Sequence, residues 1–566
     1  MSKGTGTAEP EREPQRASDR LDSWKGIAAY LKRDPRTVRR WERQEGLPVH
    51  RHLHGRKGSI YAFPREIDKW LIGRRVTEEA GQLSLGRVPQ RIAVSPLAAL
   101  QDNPSARPLI IAVLPLRDLT RDIEGDRFAD GLTEELILEI GHCCPARLRL
   151  IAFTSMMQYK QSPKSIEEVG RELGADYILE GSIRRIGHRV RLAARLIAAR
   201  DQAHVWADTY EVHIPPILSL QQTLARELAN SLLFKLSVKP SRSRPQATAW
   251  NVEAHTAYLE GRSFFLPTDD DLNKKLERLF LAIGRDPRFA RSYSELALVH
   301  VPRLYRDYPP IVLLEMIKEN ALEALKLDPK LADAHVGAAA HQLFGAWHWT
   351  EAEKSSRRAI ELNSSSVAAR NVRAAYHLAM GEPARALEEL AQAQQLDPRS
   401  LEHAVPTTLF TFFARNYDLA IERCQRLLEL DPSLPVAHGL LGLCYARRGD
   451  YPLALSSCGN VKEIGNEPIL KAALACAVYA MAGDLGAAER LLQKLLAAEK
   501  RRYIRYFFLA MASGGLGNDE ETLNWLEKSF EQHDPFLIFL KADPTFEPLS
   551  GHARFRKLLR RIGLPT

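Results

Sequence analysis

Four arginines, Arg36, Arg39, Arg40 and Arg43, recur at helical spacing near the start of the chain. Guanidinium groups in such an array neutralise phosphates and release counterions. One of them can also bind guanine O6 and N7 through two parallel hydrogen bonds. The bland alternative is a solvated charged helix face. Arg56 and Lys57 follow in a Gly-Arg-Lys-Gly turn, where they could reach along a phosphate backbone or into a minor groove. The candidate DNA contacts are therefore Arg36, Thr37, Arg39, Arg40, Arg43, Arg56 and Lys57. Arg36, Arg39 and Arg40 are the best base readers, because a recognition helix presents its N-terminal half to the base edges. Arg43 fits a phosphate or solvent.

Other reactive residue types point to less. His50, His52 and His54 alternate along one segment but lack Cys or carboxylate partners, so a surface or phosphate role fits better than metal. Asp130, Glu134, Glu135 and Asp176 would need to converge in one pocket to catalyse, and spacing does not show that. Glu134 and Glu135 read as acids in the first turns of a helix, favoured by its dipole. The vicinal Cys143-Cys144 pair suits neither zinc nor an unstrained disulfide. Cys424, Cys444, Cys458 and Cys476 are separated by 20, 14 and 18 residues, which is no zinc pattern. Neither a Gly-x-x-x-x-Gly-Lys phosphate loop nor a Gly-x-Ser-x-Gly elbow occurs. No catalytic residue, metal or cofactor is expected, and the chain is expected not to be an enzyme.

The elements that must position the arginines are short. Ser23 can cap a helix through Trp24, Ile27, Ala28 and Leu31. After a turn at Lys32-Arg33, Asp34 and Pro35 restart a second helix that runs to about Gln44, with Val38 and Trp41 facing inward. Gly46 ends it. Val49 to Phe63 reads as a hairpin tipped by Gly55-Arg56-Lys57-Gly58. Pro64 opens a last helix, where Ile67, Trp70 and Leu71 close the core. Trp24-Lys25-x-Ile27-Ala28-x-Tyr30-Leu31 followed by Arg36-Thr37-Val38-Arg39-Arg40-Trp41-Glu42 resembles the MerR/excisionase-like winged helix-turn-helix DNA-binding domains.

Charge supports that reading. The chain has 566 residues and a net charge of +9. The first 75 residues hold 18 basic against 10 acidic residues, and the other 491 hold 61 against 60. A basic segment on a balanced chain suits a polyanion-binding module. No stretch approaches the ~18 uncharged apolar residues of a membrane span, and the best apolar run, Leu109 to Leu116, is strand-sized, so no membrane span is expected. The polar N-terminus has no signal-peptide core, and six cysteines in this length form no disulfide framework. A cytoplasmic location is expected.

A mixed linker, 76–107, leads to an α/β domain over 108–238. Strands are expected at Leu109–Leu114, Leu148–Phe153, Tyr177–Arg185, Val190–Ala199 and His204–Tyr210. Helices are expected at Phe128–Ile140, Ser165–Leu173 and Pro216–Leu236. Ala112-Val113-Leu114-Pro115-Leu116, Phe128-Ala129-Asp130-Gly131-Leu132-Thr133-Glu134-Glu135-Leu136 and Gly174-Ala175-Asp176-Tyr177-Ile178-Leu179-Glu180-Gly181-Ser182 resemble the TolB amino-terminal-like domain. That family implies an interaction or accessory module.

From Asn251 the pattern is helical and periodic. Asp328, Asn363, Asp397 and Asp431 lie 35, 34 and 34 residues apart. Ala386, Ala420, Ala454 and Ala488 hold an interval of 34, as do Gly449, Gly483 and Gly517. This is the period of the tetratricopeptide repeat (TPR), which the segment resembles. Degenerate repeats are expected over 251–330, six repeats over 331–536 and a C-terminal cap over 537–566. The resemblance implies a solenoid whose concave groove takes a protein or peptide.

The expected architecture is thus multidomain: a disordered start (1–21), a small winged helix-turn-helix (22–75), the linker, the α/β domain and an all-α TPR solenoid. The expected function is a bacterial DNA-binding transcriptional regulator. Its partners would be double-stranded DNA and a protein or signal met by the TolB-like and TPR regions. A reader reaching two half-sites would act as a homodimer, and no heptad run is present to build one. The competing reading is a repeat scaffold without specific DNA binding. Related segments also occur beside nucleotidyl cyclase domains, but no such domain is found between Val76 and Asn251.

Overall fold

Asp34 shows how the first element pair is built. Its carboxylate accepts the amide hydrogens of Arg36 and Thr37 at 2.9 and 3.0 Å and the Thr37 hydroxyl at 2.6 Å. This cap and Pro35 at the first position start the helix. In the computed structural model the described residues are 21–31, 34–45, 47–51, 60–64, 66–68, 107–120, 123–143, 147–186, 189–213, 225, 228–232, 251–262, 269–305, 309–459, 469–501 and 503–565. They belong to two compact units, Met1–Gly86 and Arg87–Thr566.

The first unit contains β1 (Leu21–Asp22), α1 (Ser23–Tyr30), α2 (Pro35–Glu45), β2 (His50–Arg51) and β3 (Ile60–Ala62). Its sheet is antiparallel in the order β1–β3–β2. Ser23, expected to cap α1, is its first residue and its Oγ accepts the Gly26 amide hydrogen at 3.3 Å, while Asp22 holds the N-cap position. Ile27, Ala28, Val38, Leu47, Ala62 and Ile67 form the core. Leu21, expected within the disordered start, instead pairs with Ala62. The hairpin tip, linker residues 76–106, Trp70 and Leu71 lie outside the described residues.

The second unit opens with a sheet ordered β6–β4–β7–β8–β9. Its strands are β4 (Leu109–Val113), β5 (Arg117–Asp118, beside β7), β6 (Leu148–Leu150), β7 (Tyr177–Ile186), β8 (Arg189–Ala198) and β9 (His204–His213). β4 runs parallel to β6 and β7, and β7, β8 and β9 form an antiparallel meander. The helices here are α3 (Ile123–Cys143), α4 (Phe153–Met157) and α5 (Ile166–Leu173). Ser165 and Glu168 form a reciprocal capping box on α5. Strand β6 stops at Leu150 rather than Phe153 for a physical reason. The Ile151 amide still donates to Ile111, but the next amide, of Ala152, donates to the carbonyl of Leu396 in the helical array. The backbone leaves the sheet there, and α4 follows. Of the helix expected over 216–236, Ala225 and residues 228–232 are described, and they are helical.

The remainder is a helical repeat array. The early pairs are α6 (Val252–Arg262) with α7 (Asp269–Arg285) and α8 (Ala290–His300) with α9 (Pro310–Leu327). Then come α10 (Ala332–Phe344) with α11 (Trp349–Leu362), α12 (Val367–Ala379) with α13 (Pro383–Leu396), and α14 (Leu401–Phe413) with α15 (Tyr417–Leu430). The later pairs are α16 (Pro435–Arg447) with α17 (Tyr451–Cys458), α18 (Ile469–Met481) with α19 (Leu485–Glu499), and α20 (Tyr506–Gly515) with α21 (Asp519–Glu531); α22 (Ala553–Ile562) ends the array. Close approach within a pair depends on small residues: a Cβ on Gly442 would lie 2.6 Å from Cys458 Sγ.

The repeat is written in the backbone as well as in side chains. Trp347, Gly381, Arg415, Gly449, Gly483 and Gly517 all have positive φ, between 52° and 84°, and stand 34 residues apart. Each lies in the turn between the two helices of its pair. Asn416, Asp450 and Asp484 then accept the amide hydrogen three residues on. Sequence spacing shows the glycines. It does not show that Trp347 and Arg415 adopt the same left-handed conformation.

The inner face of the array is filled by the chain itself. Two 3-10 segments, Pro535–Phe539 and Pro544–Gly551, bring Phe536, Phe539 and Phe546 into the core. Phe539 stacks on Phe413 with ring centroids 4.5 Å apart. Phe536 meets Tyr305, Phe507 and Phe508. Arg505 is fully buried; it bonds to Asp534 at 2.8 Å and to the Leu304 carbonyl at 3.0 Å. The Trp349 indole donates to the Ile562 carbonyl at 3.1 Å. The segment expected to cap the end of the stack therefore lies across the groove that was expected to take a partner.

The left-handed series predicts opposite signs for two substitutions. Gly449→Ala places a Cβ at φ +83° and should destabilise by about 1 kcal/mol, whereas Arg415→Gly should be neutral or stabilising by up to about 1 kcal/mol. Urea unfolding of the full chain checks both.

Candidate functional site

Two places concentrate functional residue types. The first is helix α2. Val38 is buried while Arg36, Arg39 and Arg40 are exposed. The Arg39 guanidinium lies 5.3 Å from the Trp24 ring centroid, a cation–π contact that orients it. Thr37 differs from its arginine neighbours, since its hydroxyl donates to Asp34 and serves the cap. These hydrogen bonds, the Thr37 hydroxyl foremost, hold the Asp34 carboxyl below its usual range. The Arg43 side chain, Arg56 and Lys57 lie outside the described residues, as do His52 and His54. His50 is 2.6 Å from Glu66.

The second place is the seam between the α/β domain and the array. Helix α3 begins at Ile123, so Glu134 and Glu135 sit mid-helix, not in the first turns. Both are almost fully buried. Glu134 Oε1 lies 2.8 Å from Arg262 Nε, and Glu135 pairs with Arg291. Arg262 also reaches Glu295 at 3.5 Å, and Lys275 Nζ lies 2.6 Å from the same carboxylate. Burial works against charge on Glu295, but Lys275 and Arg262 outweigh it and hold its pKa down at about 2. Glu134 lacks the lysine, and burial pushes it up. Asp130 and Asp176 are engaged elsewhere, with Lys160 at 2.7 Å and Arg107 at 2.6 Å. The four acids singled out by sequence thus do not form one catalytic pocket.

Hydrogen bonds extend the seam. Asp328, Asn363 and Asp431 end their repeats by accepting the amide hydrogen two residues on. Asp397 holds the same place but is buried, and it accepts the hydroxyls of Thr154 at 2.8 Å and Ser155 at 2.5 Å from α4. Leu150 donates to Ser365 Oγ at 3.0 Å, and Gln158 donates to the Arg399 carbonyl at 2.8 Å. No periodicity marks Asp397 as different from its equivalents. A signal was available for α3, where two adjacent acids stand between Leu132 and Leu136, two positions of its apolar face.

The cysteines of the array are packing residues. Cys424, Cys444, Cys458 and Cys476 are buried, and burial pushes the last three thiols up to about 12. Among the described residues, no group of three His, Cys, Asp or Glu side chains could hold a metal ion. No helix among them is long and apolar enough to cross a membrane.

Residues 107–242, which include the α/β domain, match the family model of the HilA/YgeH-like transcriptional regulator, second domain. A curated protein of Rhizobium meliloti (strain 1021), named "Putative adenylate cyclase 3", is 31% identical over 214 residues. The match covers 38% of this chain, and the chain spans 35% of that protein's length. Its name overturns the expectation that the chain is not an enzyme. A tetratricopeptide repeat protein from Parabacteroides merdae is 13% identical over 46% of this chain and 99% of its own, with a TM-score of 0.31. YrrB, described as a TPR protein with an unusual peptide-binding site, is 20% identical over 40% of this chain and 99% of its own, with a TM-score of 0.23. The likenesses are to helical repeat proteins, and the array's own 34-residue backbone series carries the assignment here.

Two outcomes follow from the seam. Asp397→Ala strands two hydroxyls and should cost about 2–4 kcal/mol in urea unfolding, against about 1 kcal/mol or less for the exposed equivalent Asp431→Ala. Burial also holds His255 and His300 down at about 4. A histidine depressed in the folded state adds stability above its unfolded pKa, near 6.5, and loses it as pH falls toward the folded value. Stability should therefore drop between pH 6.5 and 4 by roughly 3 kcal/mol per histidine, and His300→Gln should remove about half of the histidine contribution.

Proposed function

We propose that this chain is a DNA-binding transcriptional regulator. The first unit acts as a winged helix-turn-helix in which α2 enters the major groove and the β2–β3 hairpin is the wing. The observation that carries this is α2 itself: one face buries Val38, and the other exposes Arg36, Arg39 and Arg40. The match of residues 107–242 to a regulator family supports the same reading. Arg43, Arg56 and Lys57 complete the proposed contact set, and the proposed reader spans 22–75. The cytoplasm is the compartment in which such a reader meets its DNA.

The α/β domain, proposed as TolB-like over 108–238, and the TPR regions (251–330 and 331–536, with 537–566 closing them) form the part that receives a signal or protein partner. One stretch shared with a protein named a cyclase, and a domain shared with regulators, suit an input part that serves more than one output. Because the inner face is filled, the protein partner is proposed to meet an outer surface. Phe280 on α7 and Ile311, Val312 and Leu322 on α9 are each more than half exposed there. A homodimer on two half-sites completes the proposal.

Gel-shift titration against salt tests the reading with the full chain. Arg36→Ala and Arg40→Ala should each weaken binding, and loss of a phosphate contact should lower the salt slope by about one unit. Loss of a base contact should instead cost about 1–3 kcal/mol at one position of the site. Duplex affinity unchanged in the triple variant of Arg36, Arg39 and Arg40 would favour the competing reading, a repeat scaffold without specific DNA binding.

A further inference from the structure

A cavity of about 200 Å³ lies in the seam between the α/β domain and the helical array. Its lining is divided. Ile137 from α3 and Leu298, Val299 and Val301 from the array give an apolar wall. The charged part of the lining includes Glu134, Arg262, Lys275, Glu295, Asp333 and His403. An apolar cavity of about 150 Å³ already admits benzene, so a body of phenyl size fits.

The charges decide what else the occupant carries. Arg262 is used by Glu134 at 2.8 Å, and Lys275 is used by Glu295 at 2.6 Å. Asp333, in the first turn of α10, makes no hydrogen bond or ion pair among the described residues. Arg262 and Lys275, with the His403 imidazole beside them, share the space with three carboxylates, and Asp333 is the one of these that no ion pair engages. Desolvation pushes the Asp333 carboxyl up, against the opposing pull of Arg262 and Arg291. Asp333 is half-buried, and a cation bound beside its carboxylate forms the ion pair it lacks.

We propose that the seam cavity is a binding site for a small organic monocation, a primary ammonium on an apolar body of about phenyl size, with Asp333 as its counter-ion. The body lies between Ile137 and Leu298, so the ligand touches both the α/β domain and the array. Binding there stabilises their docked arrangement through mass action. This deepens the reading of the second unit as an input part and is independent of DNA binding by the first.

Calorimetry on the full chain tests it with three isosteric probes: phenethylamine, 2-phenylethanol and phenylacetate. Phenethylamine should bind saturably and at least about tenfold more tightly than the alcohol, and phenylacetate should not bind. Asp333→Asn should abolish the preference for amine over alcohol. Leu298→Trp, which fills the space without altering a charge, should weaken both. Equal affinity of wild type for amine and alcohol, no saturable heat with the amine, or an undiminished amine preference in Asp333→Asn overturns the proposal. Because the readout is the heat of amine binding, a failure to bind DNA leaves the result unaffected.

Discussion

The second unit depends on one buried electrostatic arrangement, the run Glu134–Arg262–Glu295–Lys275 between α3 and the first helices of the array. Taking such groups from water costs several kcal/mol per ion unless each finds a partner. Here the partners come from different parts of the chain. Glu134 finds its ion pair only when Arg262 is docked, whereas Arg262 and Lys275 also share Glu295 within the array. Removing Arg262 leaves Glu134 without that pair, which ties the sheet to the array at this point. The apolar contacts around the run add strength, but they set position less strictly than paired charges do.

Asp397 shows how a repeat is adapted to that arrangement. In the other repeats the equivalent Asp or Asn closes a local turn on its own backbone. At Asp397 the carboxylate turns outward to Thr154 and Ser155. The repeat keeps its residue type and period while the hydrogen bonds change address. Strand β6 responds in kind, since Ala152 gives its amide to Leu396 instead of to a neighbouring strand.

Much of the fold was legible because it rests on short-range rules. The Asp34-Pro35 restart, the Ser165 capping box and the 34-residue markers each involve groups within a few residues or one repeat of each other. The partners of Glu134 and Asp397 lie more than a hundred residues away in sequence, and nothing local announces them. Trp347 and Arg415 were illegible for another reason: bulky residues occupy left-handed positions only where packing or neighbouring turns impose it. Of the candidate DNA contacts, the exposure of Arg36, Arg39 and Arg40 followed from Val38 facing inward, while the role of the Thr37 hydroxyl in the cap needed coordinates. The filled inner face was hidden because a run such as Pro-Phe-Leu-Ile-Phe reads equally well as a cap.

The join between Arg505 and Leu304, with Trp349 on Ile562, gives the array a property that open solenoids lack. An open array can gain or lose a unit and still stack, because each repeat contacts only its neighbours. Here the late repeats touch the early ones, so the number of units between them is fixed as the number of staves is fixed in a barrel. Excision of a single repeat would spare every neighbour-to-neighbour stacking rule and still leave the two ends unable to meet. Evolutionary change in this half of the chain is thereby channelled into side chains and surface loops, and away from repeat number.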